Sequence, residues 1–135
     1  MAEALLNRLG SEHFEVTSAG IERGEMHPLT VDVMRAIGID MEGRVSKGIH
    51  DVLRLDFDFV ITLCDRSRPE CRKFPEAERV HWRLDDPLTV LDCTKQERLF
   101  QSLRDQISQR VRLFALVQVR FAPVDTSSSR SAFSA

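Results

Sequence analysis

The segment "FDFVITLC", residues 57–64, contains the longest apolar run near the middle of the chain that is typical of a strand. Its apolar residues Phe59, Val60, Ile61 and Leu63 leave no polar face, so the pattern predicts a strand that is buried on both sides. Such strands are typical of parallel sheets whose two faces are covered by helices. The stretch therefore indicates an α/β protein, and the rest of the chain can be compared with that prediction.

Strands and helices alternate on either side of this stretch. We predict strands at 14–20 and 79–84, and helices at 1–9 and from Pro28 to the stop at Gly38, with a weaker helical segment at 49–55. A last helix begins with a capping box of Thr94 and Glu97 and runs to about residue 117. The apolar residues of these helices recur on one face: Leu5, Leu6 and Leu9 in the first, and Leu99, Leu103, Ile107, Val111 and Phe114 in the last. The pattern predicts a three-layer parallel sheet with helices on both faces and ligands at the carboxyl ends of the strands.

Both ends of the chain are unusual for this architecture. Residues 118–135 are rich in serine and lack apolar periodicity, so we predict one domain at 1–117 followed by a disordered tail. Three strands are few for a parallel sheet, and no residue precedes Met1 to cap the first helix. We therefore expect that a first strand before Met1 is absent from this sequence.

Composition and charge exclude several classes of protein. Of the 135 residues, 42% are hydrophobic and 30% are charged, with a formal net charge of -2, so a nucleic-acid-binding or membrane-surface role is not indicated. No apolar run approaches the roughly 20 residues of a spanning helix, and no signal peptide is present. Three cysteines without a secretory signal favour a cytoplasmic protein with reduced thiols.

Two of the cysteines are candidates for chemistry. Cys64 ends the buried strand and Cys71 follows in "CDRSRPEC", a segment whose basic residues would favour thiolates. The spacing leaves three interpretations open. The two cysteines form a disulfide, or they are an incidental strand cysteine and an incidental loop cysteine, or they form a zinc site together with His81. Cys93 and the four histidines are predicted to be structural or surface residues.

Acidic residues follow the last predicted strand. Asp85 and Asp86 precede Pro87 at the expected carboxyl edge of the sheet, where a carboxylic acid could protonate a leaving oxygen. Asp-Pro is also a common turn that ends a strand, so both interpretations remain. No Gly-rich phosphate loop occurs in the sequence.

The motifs, taken in order, resemble one enzyme family. The segments "MAEALLNRLG", "FEVTSAGIE", "HPLTVDVMRAIGID", "SKGI", "FDFVITLCDRSRPEC" and "HWRLDDP" are similar to the thioredoxin-coupled arsenate reductases, which share the low-molecular-weight protein tyrosine phosphatase fold. In that family, the residues matching Met1 to Glu3 follow a strand and a phosphate-binding loop, Cys-x-x-Asn-x-x-Arg-Ser, which holds the oxyanion and supplies the nucleophile. Those elements are absent from this sequence, so we predict that the chain as given is inactive or nearly so.

The resemblance also implies roles for particular residues. Cys64 matches the cysteine that attacks the arsenic adduct and releases arsenite, and Cys71 matches the one that pairs with Cys64 and presents the disulfide to thioredoxin. Asp86 matches the general acid. No cofactor is implied beyond these thiols and the protein reductant.

Three further residues match positions that support the phosphate-binding loop in that family. Glu3 and Ser18 match positions that help to hold a potassium ion in some members, where an Asp follows the Ser matching Ser46. This chain has Lys47 there, and we expect its ammonium group to take the place of the cation, so no metal is predicted.

Three functions follow from these observations. The first is arsenate reduction to arsenite through a cysteine relay with thioredoxin, and the second is hydrolysis by a low-molecular-weight phosphatase. The third is a non-catalytic remnant that associates with itself through sheet edges exposed by the absent first strand.

Overall fold

Four parallel strands form the sheet in the computed structural model, which describes residues 1–10, 12–120 and 130–134. The order across the sheet is β1-β4-β2-β3, in which β1 is Phe14–Ser18, β2 is Phe59–Thr62, β3 is Glu78–His81 and β4 is Arg130–Ser134. All neighbouring pairs are parallel. The predicted parallel α/β fold is confirmed, although each predicted strand is shortened at one or both ends.

The fourth strand is the main difference from the sequence prediction. β4 lies between β1 and β2, and Ala132 is fully buried. The backbone N–H of Ser131 donates to Asp58 Oδ2 over 2.7 Å, and the N–H of Asp58 donates to the Ser131 carbonyl over 3.0 Å. The prediction of a disordered tail at 118–135 is therefore wrong for residues 130–134, which form a strand of the sheet. Three of these five residues, Ser131, Ala132 and Ser134, have small side chains, so the segment carries little apolar signal. Residues 121–129 lie outside the described residues.

The described residues form three α-helices: α1 at Ala2–Gly10, α2 at Pro28–Arg35 and α3 at Cys93–Arg120. α2 begins as predicted with Pro28, and the ring Nδ1 of His27 caps it by accepting from the Leu29 N–H over 3.2 Å. Gly38, with a φ of 77°, lies just beyond its end in a backbone conformation that favours glycine.

The predicted start of α3 is wrong. Asp92, not Thr94, caps this helix, because its carboxylate accepts from the Lys95 N–H over 2.9 Å. The capping box of Thr94 and Glu97 therefore lies inside the helix. The helix also continues to Arg120, beyond the predicted end near residue 117.

Alternate residues of β2 supply two hydrophobic clusters. Phe59 and Ile61 belong to a cluster shared with all three α-helices, and the ring of Phe114 lies 5.2 Å from that of Phe59 between centroids. Val60 belongs to a second cluster, which includes Ile49, Val52, Phe74 and Ala77. Short 3-10 turns supply residues to the second cluster, on the face of the sheet where helices were predicted. On α1, Leu5 and Leu6 are buried as predicted, but Leu9 is 41% exposed.

Membrane insertion receives no support from the helices. Within the described ranges, not one helix combines the length and the apolar character that crossing a membrane requires.

Candidate active site

Cys64 and Asp86 share a cavity at the carboxyl edge of the sheet. Cys64 follows β2, and Asp85 and Asp86 follow β3, as the alternation of strands and helices predicted. The cavity has a volume of about 520 Å³. Leu103 and Ile107 of α3 also line it. The structure therefore brings together two of the three residues for which the family resemblance implied catalytic roles.

The charges on the cavity wall differ from the sequence prediction. Its ionisable side chains besides Cys64 are four carboxylates and one guanidinium: Glu22, Asp65, Asp85, Asp86 and Arg66. The basic residues Arg68, Arg72 and Lys73 belong instead to a 3-10 turn, Arg68–Lys73, and Lys73 Nζ lies 2.6 Å from Glu70 Oε2. Within the described residues, the lining around Cys64 thus contains more acidic than basic side chains.

Cys64 is tied to Ser67. The Ser67 hydroxyl donates to the Cys64 carbonyl over 2.9 Å, and it accepts from the Cys64 thiol and N–H, each over 3.4 Å. The Ser67 side chain is buried, while Cys64 is half-buried. Sequence reasoning did not single out Ser67, although its position three residues after Cys64 is the spacing of a local hydroxyl bond to the backbone.

Cys71 lies in the same segment, in the 3-10 turn. Its thiol donates to the Arg68 carbonyl over 2.8 Å, and its side chain packs against the second hydrophobic cluster. Neither Cys64 nor Cys71 is in a disulfide. The structure therefore describes a reduced pair, with each thiol donating its proton to an acceptor close to it in sequence.

Asp86 is both a turn residue and a cavity residue. Its Oδ1 accepts from the Leu88 N–H over 2.9 Å, which caps the 3-10 turn Pro87–Thr89. The side chain is exposed and also lines the cavity. The turn interpretation is thus correct, and a role of Asp86 as general acid stays a prediction.

His81 and Asp65 link the cysteine segment to β3. His81 Nε2 lies 3.2 Å from Asp65 Oδ1, and its Nδ1 lies 2.7 Å from the hydroxyl of the buried Thr62. Arg83 Nε lies 3.4 Å from Asp65 Oδ2. The sequence treated His81 as a packing or surface residue, and spacing alone offered no signal for these contacts, because the partners come from two strands.

A second cavity, of about 350 Å³, adjoins the amino end of α1. Here Glu3 Oε2 accepts from both the N–H and the hydroxyl of Ser18, each over 2.7 Å. Lys47 Nζ lies 3.9 Å from the same oxygen, and Arg44 lies 3.3 Å from Glu3 Oε1. The structure brings together the three predicted support residues, and it adds Arg44, which the sequence analysis missed. Whether an ammonium group replaces a cation here stays a prediction.

Among the described residues, the pKa values of two groups are clearly lowered. Burial lowers the pKa of the Met1 α-amino group beside this second cavity. A hydrogen bond from Arg23 lowers the pKa of Asp51, whose other oxygen accepts from the Gly48 N–H. Asp51 thereby fixes the loop that follows β1 to the turn Ile49–Asp51.

A metal centre is not indicated. Residues 1–10, 12–120 and 130–134 contain no group of three or more His, Cys, Asp or Glu side chains that could hold a metal ion. The zinc interpretation of Cys64, Cys71 and His81 therefore has no geometric basis. Cys93 is exposed at the start of α3, in agreement with the prediction of a structural or surface residue.

Comparison with known proteins shows the family. Residues 1–123 match the family model "Low molecular weight phosphotyrosine protein phosphatase". The chain therefore belongs to this family of enzymes.

Relatives within the family include arsenate reductases. An arsenate reductase of Shouchella clausii is 39% identical over 118 residues, which cover 85% of this chain and 84% of the relative. A solved structure of an arsenate reductase in the reduced state superposes with a TM-score of 0.70 at 29% identity, covering 86% of each chain. A protein tyrosine phosphatase structure has a TM-score of 0.68 at 16% identity, over 90% of this chain and 88% of the other, and it supports the fold alone.

Proposed function

We propose that this protein is an arsenate reductase in which Cys64 and Cys71 form a redox relay that thioredoxin reduces. The observation that carries the proposal is the position of Cys64 in a cavity beside Asp86, with Cys71 in the turn that follows. Arsenate reductases among the relatives of the chain support the same reaction. Reduced thiols also fit a cytoplasmic location, which forms part of this proposal.

The proposed reaction is a two-electron reduction of arsenate. A nucleophilic thiolate forms a sulfur–arsenic bond while an oxygen leaves as water, with Asp86 as the proton donor. The Cys64 thiolate then attacks the sulfur of this adduct, so that a sulfur–sulfur bond forms, the sulfur–arsenic bond breaks and the electron pair stays on arsenic as arsenite. Cys71 next attacks the Cys64 sulfur and displaces the nucleophile as a thiolate.

Thioredoxin closes the proposed cycle. Its two thiols give two electrons and two protons to the Cys64–Cys71 disulfide and restore both thiols. The turn that holds Cys71 favours this exchange, because its surface is exposed at Arg68, Arg72 and Lys73. The bond from the Cys71 thiol to the Arg68 carbonyl is local, so it can be lost when the turn rearranges.

The first thiolate is the part that the given residues do not supply. Of the three cysteines, Cys64 and Cys71 are the proposed relay, and Cys93 lies exposed at the start of α3. We therefore propose that the 135 residues by themselves have little or no arsenate turnover. Glu3, Ser18 and Lys47 would support a nucleophile loop joined to the amino end of α1.

Two other functions make different predictions. A phosphatase of the matched family would use the same loop and Asp86 but would not need Cys64 or Cys71. A self-associating remnant would need unpaired edges at the centre of the sheet, and β4 occupies that place in this chain. Sedimentation that is independent of concentration would remove the support for self-association.

The experiment measures arsenate-dependent NADPH oxidation with thioredoxin and thioredoxin reductase. The 135-residue chain should show almost no turnover. A chain extended before Met1 by a strand and the Cys-x-x-Asn-x-x-Arg-Ser loop should be active. It is made with and without residues 121–135, because the added strand competes with β4 for the centre of the sheet.

Variants of the extended chain separate the two activities. Replacing Cys64 and Cys71 by Ser should abolish arsenate reduction and spare hydrolysis of an aryl phosphate, whereas Cys93→Ser should leave both unchanged. Equal loss of both activities in the double variant would contradict the relay, and ordinary turnover by the 135-residue chain would contradict the proposed inactivity.

A further inference from the structure

The proposed relay requires a thiolate at Cys64. Among the described residues, the ionisable groups that line the same cavity come from three segments: Glu22 after β1, Asp65 and Arg66 after β2, and Asp85 and Asp86 after β3. Arg66 is the only cationic side chain in the described part of this lining, and Asp65 is already paired with His81 and Arg83. A hydrogen-bond donor at the sulfur would add to the stabilisation of a thiolate.

Ser67 is placed to be that donor. Its hydroxyl oxygen lies 3.4 Å from Cys64 Sγ, and in the reduced, protonated pair it accepts the thiol proton. The same oxygen lies 2.9 Å from the Cys64 carbonyl, to which it donates. When the thiol loses its proton, the hydroxyl hydrogen can rotate about the Cβ–Oγ bond of Ser67. The hydroxyl then donates to the sulfur instead of to the Cys64 carbonyl.

The rotation leaves no buried carbonyl without a partner. The Cys64 carbonyl also accepts from the backbone N–H of Ser67 over 3.2 Å. Losing the hydroxyl bond therefore removes one of two donors from that oxygen, and the desolvation cost of an unsatisfied carbonyl does not arise. Ser67 is 3% exposed, so little water competes for its hydroxyl group.

We propose that Ser67 is a positioning residue for Cys64, whose hydroxyl accepts from the thiol and donates to the thiolate. The proposal rests on the proposed function, because it gives Cys64 the role of the attacking thiol. It adds a residue to which the sequence motifs assigned no role. Ser67 also connects Cys64 to the turn that contains Cys71. Its carbonyl accepts from the Glu70 N–H of that turn over 3.0 Å.

The test measures how fast iodoacetamide alkylates Cys64 across a range of pH. Cys71→Ser and Cys93→Ser are introduced first, so that Cys64 is the sole thiol. In this background Ser67→Ala should lower the rate near pH 7 by about tenfold and move the midpoint of the profile up by about one pH unit. The plateau at high pH, where every thiol is ionised, should remain within about twofold because it reports access alone.

A second pair of variants separates the hydroxyl from packing. Ser67→Thr keeps the hydroxyl and Ser67→Val replaces it by a methyl group of similar shape, so both carry the same added bulk. Thr should restore the midpoint of the parent, and Val should behave as Ala does. An unmoved midpoint with a lowered plateau in the Ala variant, or equal midpoints for Thr and Val, would overturn the proposal.

The readout is independent of arsenate and of thioredoxin. If the midpoint does not move while Cys64 and Cys71 still form a disulfide that thioredoxin reduces, the role of Ser67 fails and the relay stands. If the midpoint moves but that disulfide does not form, the relay fails and the hydrogen bond stands.

Discussion

The burial of Ala132 allows a sharp test of the fourth strand. Ala132 is fully buried in β4, and its neighbours in register are Val16 on β1 and Phe59 on β2. A carboxylate at this position would have apolar neighbours on both sides. The folded chain would then protonate the carboxyl group rather than bury its charge.

The cost of this protonation follows from the ordinary acidity of Asp. Holding an Asp neutral costs about 1.4 kcal/mol for each pH unit above about 3.9, so Ala132→Asp should lower the free energy of unfolding by about 4 kcal/mol at pH 7. At pH 5 the same cost falls to about 1.5 kcal/mol. The variant should therefore regain stability on acidification, because the pKa of the buried group is raised and its penalty grows with pH.

Urea denaturation at pH 7 and pH 5 measures both values. Ser102→Asp, on an exposed position of α3, is the matched control and should change stability by less than about 0.5 kcal/mol. If Ala132→Asp is as stable as the parent at pH 7, residues 130–134 do not form a central strand in solution and the sheet order described above is refuted.

The remaining predictions concern the second cavity and the loop after β1. Glu3→Ala should cost about 2 kcal/mol, because the half-buried N–H and hydroxyl of Ser18 lose a charged acceptor, whereas Glu42→Ala, at an exposed ion pair, should cost less than about 1 kcal/mol in the same urea titration. A loss in Glu3→Ala no greater than that in Glu42→Ala would contradict this reasoning. The pKa of Asp51 is lower in the folded chain than its ordinary value of 3.8. Its contribution to the free energy of unfolding is therefore complete above pH 3.8 and is lost as the pH falls through the lower pKa of the folded chain. Asp51→Asn should therefore flatten the acid side of the stability profile, and a profile that is unchanged from the parent would disprove the link.

Periodicity predicted the parts of the fold that carry their own apolar pattern. The apolar run at Phe59 to Ile61 correctly indicated a strand buried on both faces, and the helix stop at Gly38 was correct because its φ is positive. The fourth strand was not predictable in this way. Ala132 has a small side chain, and its burial is created by strands that lie far away in the sequence.

The candidate site was predictable to the level of strand ends. Cys64 and Asp86 were expected at one edge because the carboxyl ends of parallel strands meet there, and both line one cavity. The roles of individual contacts were not predictable. Arg44 contacts Glu3 although 41 residues separate them in the sequence. Ser67 lies in a segment that was interpreted from its charged residues alone, and its bond to the Cys64 carbonyl was not expected.

Disulfide mapping by mass spectrometry shows whether Cys64 and Cys71 form the redox pair of the proposed relay. The 135-residue chain is oxidised mildly under native conditions, digested without reduction, and then treated with reduced thioredoxin. The account predicts one intramolecular bond, between Cys64 and Cys71, that forms equally in Cys93→Ser and disappears with thioredoxin. Pairing of either cysteine with Cys93, or two thiols that stay unpaired, would contradict the relay.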